Sequence, residues 1–386
     1  MKHDWTYKKL GEVCQSDLGK TLNSKTDKGE LFPYLCAINI LWDKIDLTTL
    51  KYTKFEKSEL ERYSVRKGDL LVCEGGDIGR AAIWDKEEPI QYQNALHRIR
   101  FNGEIIPRFC LLYLHHLKNT GVLDNNYGKG VTIKHLVKTS LLSIPIPIPP
   151  LQTQSQIVNE LGLLQSIIDK QKAQLKELDK FAQAIFYDMF GDPVVNEKGW
   201  EVKRLNSVGT IARGVSKHRP RNAPELMGDY MPLIQTGDVA SSGMYIVDCQ
   251  YGYSGLGVAQ SKVWPIGTLC ITIAANIGKC SIMTFDACFP DSVVGFIATQ
   301  NKISVEYVYF FFKAIQQGLE DKAMGVAQKN INLKILNEMN IPIPPLSMQQ
   351  SFAAKIESIE KQKSAIGKSI EETQKLFDYT MDKYFG

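Results

Sequence analysis

The chain has 386 residues, 44% of them hydrophobic and 23% charged, with a formal net charge of +4. That balance is ordinary for a globular protein and speaks against disorder, and the length leaves room for two to three domains. The small positive excess permits an acidic partner such as nucleic acid without requiring one. The eight cysteines include no Cys-x-x-Cys pair and no histidines at zinc spacing, which points to a reduced protein without structural metal. Met1-Lys2-His3-Asp4-Trp5 lacks an apolar leader core, and no apolar run approaches the roughly 18 residues of a membrane span. A cytoplasmic protein with no membrane partner is expected.

Taken in order, the chain says most things twice. Trp5-Thr6-Tyr7-Lys8-Lys9-Leu10 returns 195 positions later as Trp200-Glu201-Val202-Lys203-Arg204-Leu205. Short β-rich runs at 33–40 and 232–239 read as buried strands. Residues 68–80, Gly-Asp-Leu-Leu-Val-Cys-Glu-Gly-Gly-Asp-Ile-Gly-Arg, align without a gap with 267–279 and predict strand, turn, strand, with glycine supplying the unusual backbone angles. Apolar helical patches follow at 109–117 and 307–315. Gly130-Val131-Thr132-Ile133-Lys134 and Gly325-Val326-Ala327-Gln328-Lys329 then precede a short strand. Each globular part is therefore mixed α+β with many short strands.

Next comes the signature of the repeat, Ile146-Pro147-Ile148-Pro149-Pro150-Leu151 and Ile341-Pro342-Ile343-Pro344-Pro345-Leu346. Proline at alternate positions removes backbone donors, which fits an edge strand or extended connector and not a helix. Beyond it, Thr153 to Gln156 and Ser347 to Gln350 each fit a capping box. Alternating four-and-three spacing then picks out Ile157, Leu161, Leu164, Ile168, Gln171, Leu175, Leu178, Ala182, Ile185 and Met189. Their counterparts 195 positions on include Phe352, Ile356, Ile359, Lys363, Ile366, Ile370 and Phe377. A seam of that length is coiled-coil-like, and about 39 helical residues make a rod of ~60 Å. The first domain is attached where the first helix begins and the second where it ends, through Gly191-Asp192-Pro193. Paired straight helices must then be antiparallel, giving a dumbbell with approximate internal two-fold symmetry. The expected division is 1–150, 151–191, 192–345 and 346–386.

These residues resemble the specificity subunit of a type I restriction-modification system. The likeness rests on the opening at 200–205, Gly68-Asp69-Leu70-Leu71, the Ile-Gly-Arg/Lys turns at 78–80 and 277–279, and the Pro-Pro-Leu-x-x-Gln junctions at 149–154 and 344–349. It implies two unlike target-recognition domains, each reading one half of a split double-stranded DNA target. The helices would act as a ruler and as the platform for two methyltransferase subunits, with restriction/translocase subunits as further partners. Successive major-groove faces lie ~34 Å apart, within reach of heads on such a rod. S-adenosylmethionine, ATP and magnesium would belong to the partners, with no cofactor, metal or catalytic residue in this chain.

Within a head, cations on loops would fix register on phosphates while Arg, Lys, Asn and Gln reach base edges. The densest candidate is Arg213-Gly214-Val215-Ser216-Lys217-His218-Arg219-Pro220-Arg221, whose Arg213, Lys217, Arg219 and Arg221 meet no acidic neighbour in sequence. Arg80 and Lys279 at equivalent turns follow, then Lys129, Lys134 and Lys329. A solvated charge run is the alternative for the 213–221 loop, where the dumbbell favours DNA, and for the other cations a surface lysine or arginine near a turn is an equal reading. No Asn/Asp-Pro-Pro-Tyr/Phe or Pro-Cys loop accompanies a Gly-rich cofactor turn. Gly19-Lys20-Thr21 lacks the leading glycine of a P-loop, since residue 14 is Cys. Glu201-Val202-Lys203 has Thr6-Tyr7-Lys8 as its counterpart, without a carboxylate for a metal, and His97, His115 and His116 read as core or surface histidines. From another class comes a coiled-coil adapter with two protein-binding heads and no affinity for DNA.

Overall fold

A computed structural model describes residues 4–23, 27–131, 134–274, 277–324 and 333–386. The chain forms two compact units, Met1–Gln171 with Ser369–Gly386, and Lys172–Lys368. Each unit thus holds one globular head and part of each of two long helices, Leu151–Phe190 and Leu346–Phe385.

In the first head the strand Leu70–Cys73 is buried along its whole length. Its side chains alternate between two cores. Leu70 and Val72 join the cluster of the helix Pro107–Asn119, while Leu71 and Cys73 join Trp84, Tyr92 and Leu96. This is the period of two of an extended chain, and cover on both faces explains the unbroken apolar run. The strand lies in an antiparallel sheet ordered Cys14–Leu18, Leu96–Phe101, Leu70–Cys73, Ala81–Ile83. A second sheet runs Lys51–Phe55, Glu30–Leu35, Ile90–Tyr92, Ser64–Val65, its central pair parallel.

The second head repeats the plan with additions. Leu269 and Ile271 face the cluster of the helix Val305–Met324, and Cys270 faces Trp264 and Phe289. Its main sheet gains a fifth strand, Tyr245–Ile246, beside Cys280–Met283. The expected turns are present in both heads. Gly79 and Gly278 each sit at φ +78°, and a Cβ on Gly79 would stand 2.0 Å from Leu123 Cδ2.

The proline-rich segments form edge strands. Pro145–Pro147 pairs antiparallel with Tyr7–Lys9, and Asn340–Ile343 with Glu201–Arg204. The equivalent bonds Leu10 N to Ile144 O and Leu205 N to Met339 O, both 2.8 Å, fix the same register twice. The long helices start at Leu151 and Leu346, ahead of the caps expected at Thr153 and Ser347. Proline's preset φ lets a helix begin directly behind it.

Both units give the helices the same antiparallel sense. In the first, Gln171 Nε2 donates to Ser369 Oγ at 2.7 Å and the Tyr384 hydroxyl to Glu160 at 2.5 Å. In the second, Lys363 meets Asp179 at 2.8 Å, and the Phe190 and Phe352 rings lie 5.2 Å apart. Among the expected seam residues Ile157, Leu161, Ile168, Phe352, Ile356, Ile359 and Phe377 are buried, while Leu164, Leu175, Leu178, Ile185, Ile366 and Ile370 are half-buried. Towards the C-terminal end of each helix an inward row takes a spacing of four: Ala182, Phe186 and Phe190, all buried, and, 195 positions on, the buried Phe377 and Met381 with the half-buried Phe385. There the first helix packs against the second head and the second helix against the first head, each also meeting its partner helix, and i, i+4 rows are the ridges used in globular helix packing.

No helix among the described residues is long and apolar enough to cross a membrane.

Candidate nucleic-acid interface

The basic loop of the second head grows out of the strand Gly209–Arg213. Gly214 follows, where a Cβ would lie 2.1 Å from Phe289 O, so only glycine lets the chain cross so closely. Gly214 N donates to Val293 O at 2.9 Å and Val215 N to Phe289 O at 3.1 Å. Ser261 Oγ donates to Val215 O at 2.6 Å, and Gln260 Oε1 accepts from Lys217 N at 2.6 Å and His218 N at 3.0 Å. The backbone is therefore pinned while the side chains of Arg213, Lys217, His218, Arg219 and Arg221 are exposed.

Their charges are not equally available. Arg219 and Arg221 share the carboxylate of Asp291, and Arg219 also donates to Ser216 O at 2.5 Å. His218 lies 4.0 Å from Glu225. Among the described residues Arg213 and Lys217 have no ion-pair partner, which leaves them the freest cations of the loop.

The other expected cations fall in varied settings. Arg80 is half-buried and donates from Nη2 to Ala37 O at 2.7 Å, so its guanidinium ties two parts of the first head together. Lys279, at the equivalent turn, is exposed. It lines a cavity of about 340 Å3 with Lys313, Lys363, Asp179 and Glu360. There burial works against the Lys363 charge, and bonds to Asp179 and Glu360 outweigh it, raising its pKa above the ordinary lysine value. Lys129 is exposed beside a backbone bridge to His135, and Lys134 Nζ donates to Asp124 O at 2.8 Å. Lys329 lies outside the described residues. Lys20, of the segment resembling a P-loop end, is buried between Glu59 and Asp27 and holds the fold.

Sequence reasoning missed a basic hollow in the first head, lined by Arg62, Arg98, Arg100 and Lys138 with Asp17 and Glu61. Arg98 and Arg100 share a face of the strand Leu96–Phe101, as residues two apart must. The alternation Arg-x-Arg on an apolar strand was the available signal. Arg100 grips Asp69 through two bonds of 2.7 and 2.6 Å, which raises its pKa above the usual arginine value through the hydrogen bond first. Arg98 donates to Ser64 O at 2.7 Å and Asp17 at 3.0 Å.

The three histidines without an assigned role belong to the first unit. His97 is fully buried with Nε2 2.7 Å from Leu136 O. The His115 ring lies 4.5 Å from that of Trp42, tilted by 33°, and His116 Nδ1 lies 3.6 Å from Asp382. Burial lowers the pKa of all three, and Asp378 and Asp382 oppose it at His115 and His116.

The sequence profile described as "Type I restriction modification DNA specificity domain" matches residues 2–180 and 197–374. Among curated proteins, the putative type I restriction enzyme MjaX specificity subunit of Methanocaldococcus jannaschii is 24% identical over 376 residues, 92% of this chain and 87% of that protein. The type I restriction enzyme EcoBI specificity subunit of Escherichia coli is 24% identical over 345 residues, 78% of this chain and 70% of its own. Among solved structures, the type I restriction-modification S subunit from M. genitalium superposes with a TM-score of 0.61 at 14% identity, covering 100% of this chain and 97% of that one. A chain from a study of complex assembly in a type I R-M system gives 0.59 at 19% identity, covering 99% and 97%.

Proposed function

The chain belongs to the type I restriction-modification DNA specificity family, and from that premise we propose that each head reads one half of a bipartite double-stranded DNA target while the long helices set the spacer and dock two methyltransferase subunits. Restriction/translocase subunits join that assembly. S-adenosylmethionine, ATP and magnesium are bound by the partners, and this chain positions them without catalysing. The observation that carries the reading is one construction made twice with different surfaces: each unit holds a head, a proline-rich edge strand and antiparallel helix segments, yet the heads differ in strand number and in basic residues. Unlike heads on a repeated frame fit an asymmetric target with two unlike halves. Docking is supported by apolar side chains left exposed on the helices, Leu163, Ile167, Leu376 and Tyr379 in the first unit and Phe181 and Tyr187 in the second.

Two experiments test this. Binding of the assembled complex to DNA should fall with salt at about −0.9 log units per log unit for each phosphate neutralised, whereas an adapter that ignores DNA shows no slope. Replacing residues 196–340 by the corresponding head of another family member should change one half of the recognised sequence only. A change in both halves rejects modular reading.

A further inference from the structure

We propose that Gln154 and Gln349 are positioning residues that lock the direction in which each long helix leaves its head, and through it the spacer length the assembly accepts. This rests on the reading of the helices as the spacer-setting element. Both glutamines are completely buried, at 0% exposure, and they stand 195 positions apart, one in each copy of Pro-Pro-Leu-x-x-Gln.

A buried amide persists where its polar atoms are matched, and the partners here are all backbone groups at one joint. Gln154 Oε1 accepts from Ile106 N at 2.8 Å, while Nε2 donates to Glu104 O and Pro149 O, both at 2.9 Å. Gln349 Oε1 accepts from Ser304 N at 2.9 Å, and Nε2 donates to Pro344 O at 2.8 Å. Ile106 and Ser304 immediately precede the head helices Pro107–Asn119 and Val305–Met324. Pro149 and Pro344 lie just ahead of the long helices Leu151–Phe190 and Leu346–Phe385. In each unit, therefore, one side chain fastens the start of the head helix to the start of the long helix.

Hydrogen bonds are directional, whereas apolar burial is not, so a matched amide at this joint constrains angle where packing alone constrains mainly distance. The lever is long. A helix of 40 residues extends ~60 Å, and a tilt of about 5° at its root displaces the far end by roughly 5 Å. That exceeds the ~3.4 Å rise of one base pair, so loosening the joint blurs the spacer by about a base pair.

The test uses the full chain assembled with its methyltransferase subunits, comparing affinity for the cognate target with targets whose spacer is one base pair shorter or longer. Gln154→Met keeps the length and removes every bond. Gln154→Glu keeps the acceptor for Ile106 N and removes the donors facing the two carbonyls. Gln349→Met and Gln349→Glu do the same in the second unit. We expect preference for the correct spacer to fall at least tenfold, with base preference within each half-site unchanged. Variants that fold, bind and retain wild-type spacer preference overturn the proposal, as does uniform loss of affinity for all three targets. Failure of both substitutions at either glutamine to fold would assign it to holding the head together and likewise overturn it. A wild-type assembly indifferent to spacer length removes the reading underneath, and that result is seen before any substitution is made.

Discussion

The second head carries its basic side chains on a loop pinned through its backbone, whereas the first carries Arg98 and Arg100 on a strand where both guanidiniums already have partners. An arginine held by two bonds to Asp69 must exchange a carboxylate for a phosphate before it contributes to binding, and such charge-assisted pairs are the strong ones. Lys217 and Arg213 have no ion pair to break among the described residues. Counting cations therefore misjudges the charge a head presents, because their existing partners decide how much of it is on offer.

The cores differ at equivalent positions as well. Phe186 in the second unit is fully buried among the rings of Phe190, Tyr307, Phe310 and Phe352, while its counterpart in the first unit is Met381. Phe186→Ala should lower stability by about 3–5 kcal/mol and Met381→Ala by less, at the lower part of about 2–5 kcal/mol, read from urea unfolding of the full chain. Equal losses would erase the distinction between the two cores.

Acid should separate the units next. His97, His115 and His116, all in the first unit, have folded pKa values lowered chiefly by burial. The unfolded chain takes up protons first, near the ordinary histidine value of about 6.5. The stability associated with the neutral rings is complete above that pH and is lost as pH falls below it towards the folded values. The second unit's single histidine, His218, is exposed. Hydrogen exchange compared at about pH 7.5 and pH 5 should show protection lost first in the first unit, and parallel loss in both would contradict this.

Smaller effects bear on the proposed DNA contact. Lys217→Ala and Arg213→Ala should each reduce the salt slope of binding by about 0.9, and Arg100→Ala by less. An equal effect from Arg100→Ala would show that its bond to Asp69 is exchanged on binding. The smallest change is expected from Asp291→Asn. Exposed ion pairs contribute roughly 0–1 kcal/mol, so unfolding should barely shift, while release of Arg219 and Arg221 should tighten non-specific DNA binding. Unaltered affinity would place that arginine pair away from DNA.

Much of the frame was legible. Alternating prolines predicted edge strands, and Ile-Pro-Ile-Pro-Pro at both positions marks the ends of both heads. The runs at 68–80 and 267–279 predicted strand, turn, strand, and the strands found at 70–73 and 269–272 are buried along their whole length. The helix ends were harder to read. A regular heptad placed Ile185 and Met189 on the seam, while Phe186 and Phe190 are the buried pair, because a helix that meets a head and a partner helix together obeys two packing rules.

The sequence by itself determined the duplication, the short strands and the two long helices, because periodicity and proline placement act over a few neighbouring residues. Only the tertiary structure decided which cations are free and which groups the junction glutamines bond. Arg100 meets Asp69 across 31 positions, and Gln154 meets Ile106 across 48. Partners that distant are brought together by burial of the whole head, and no local pattern in the chain records them.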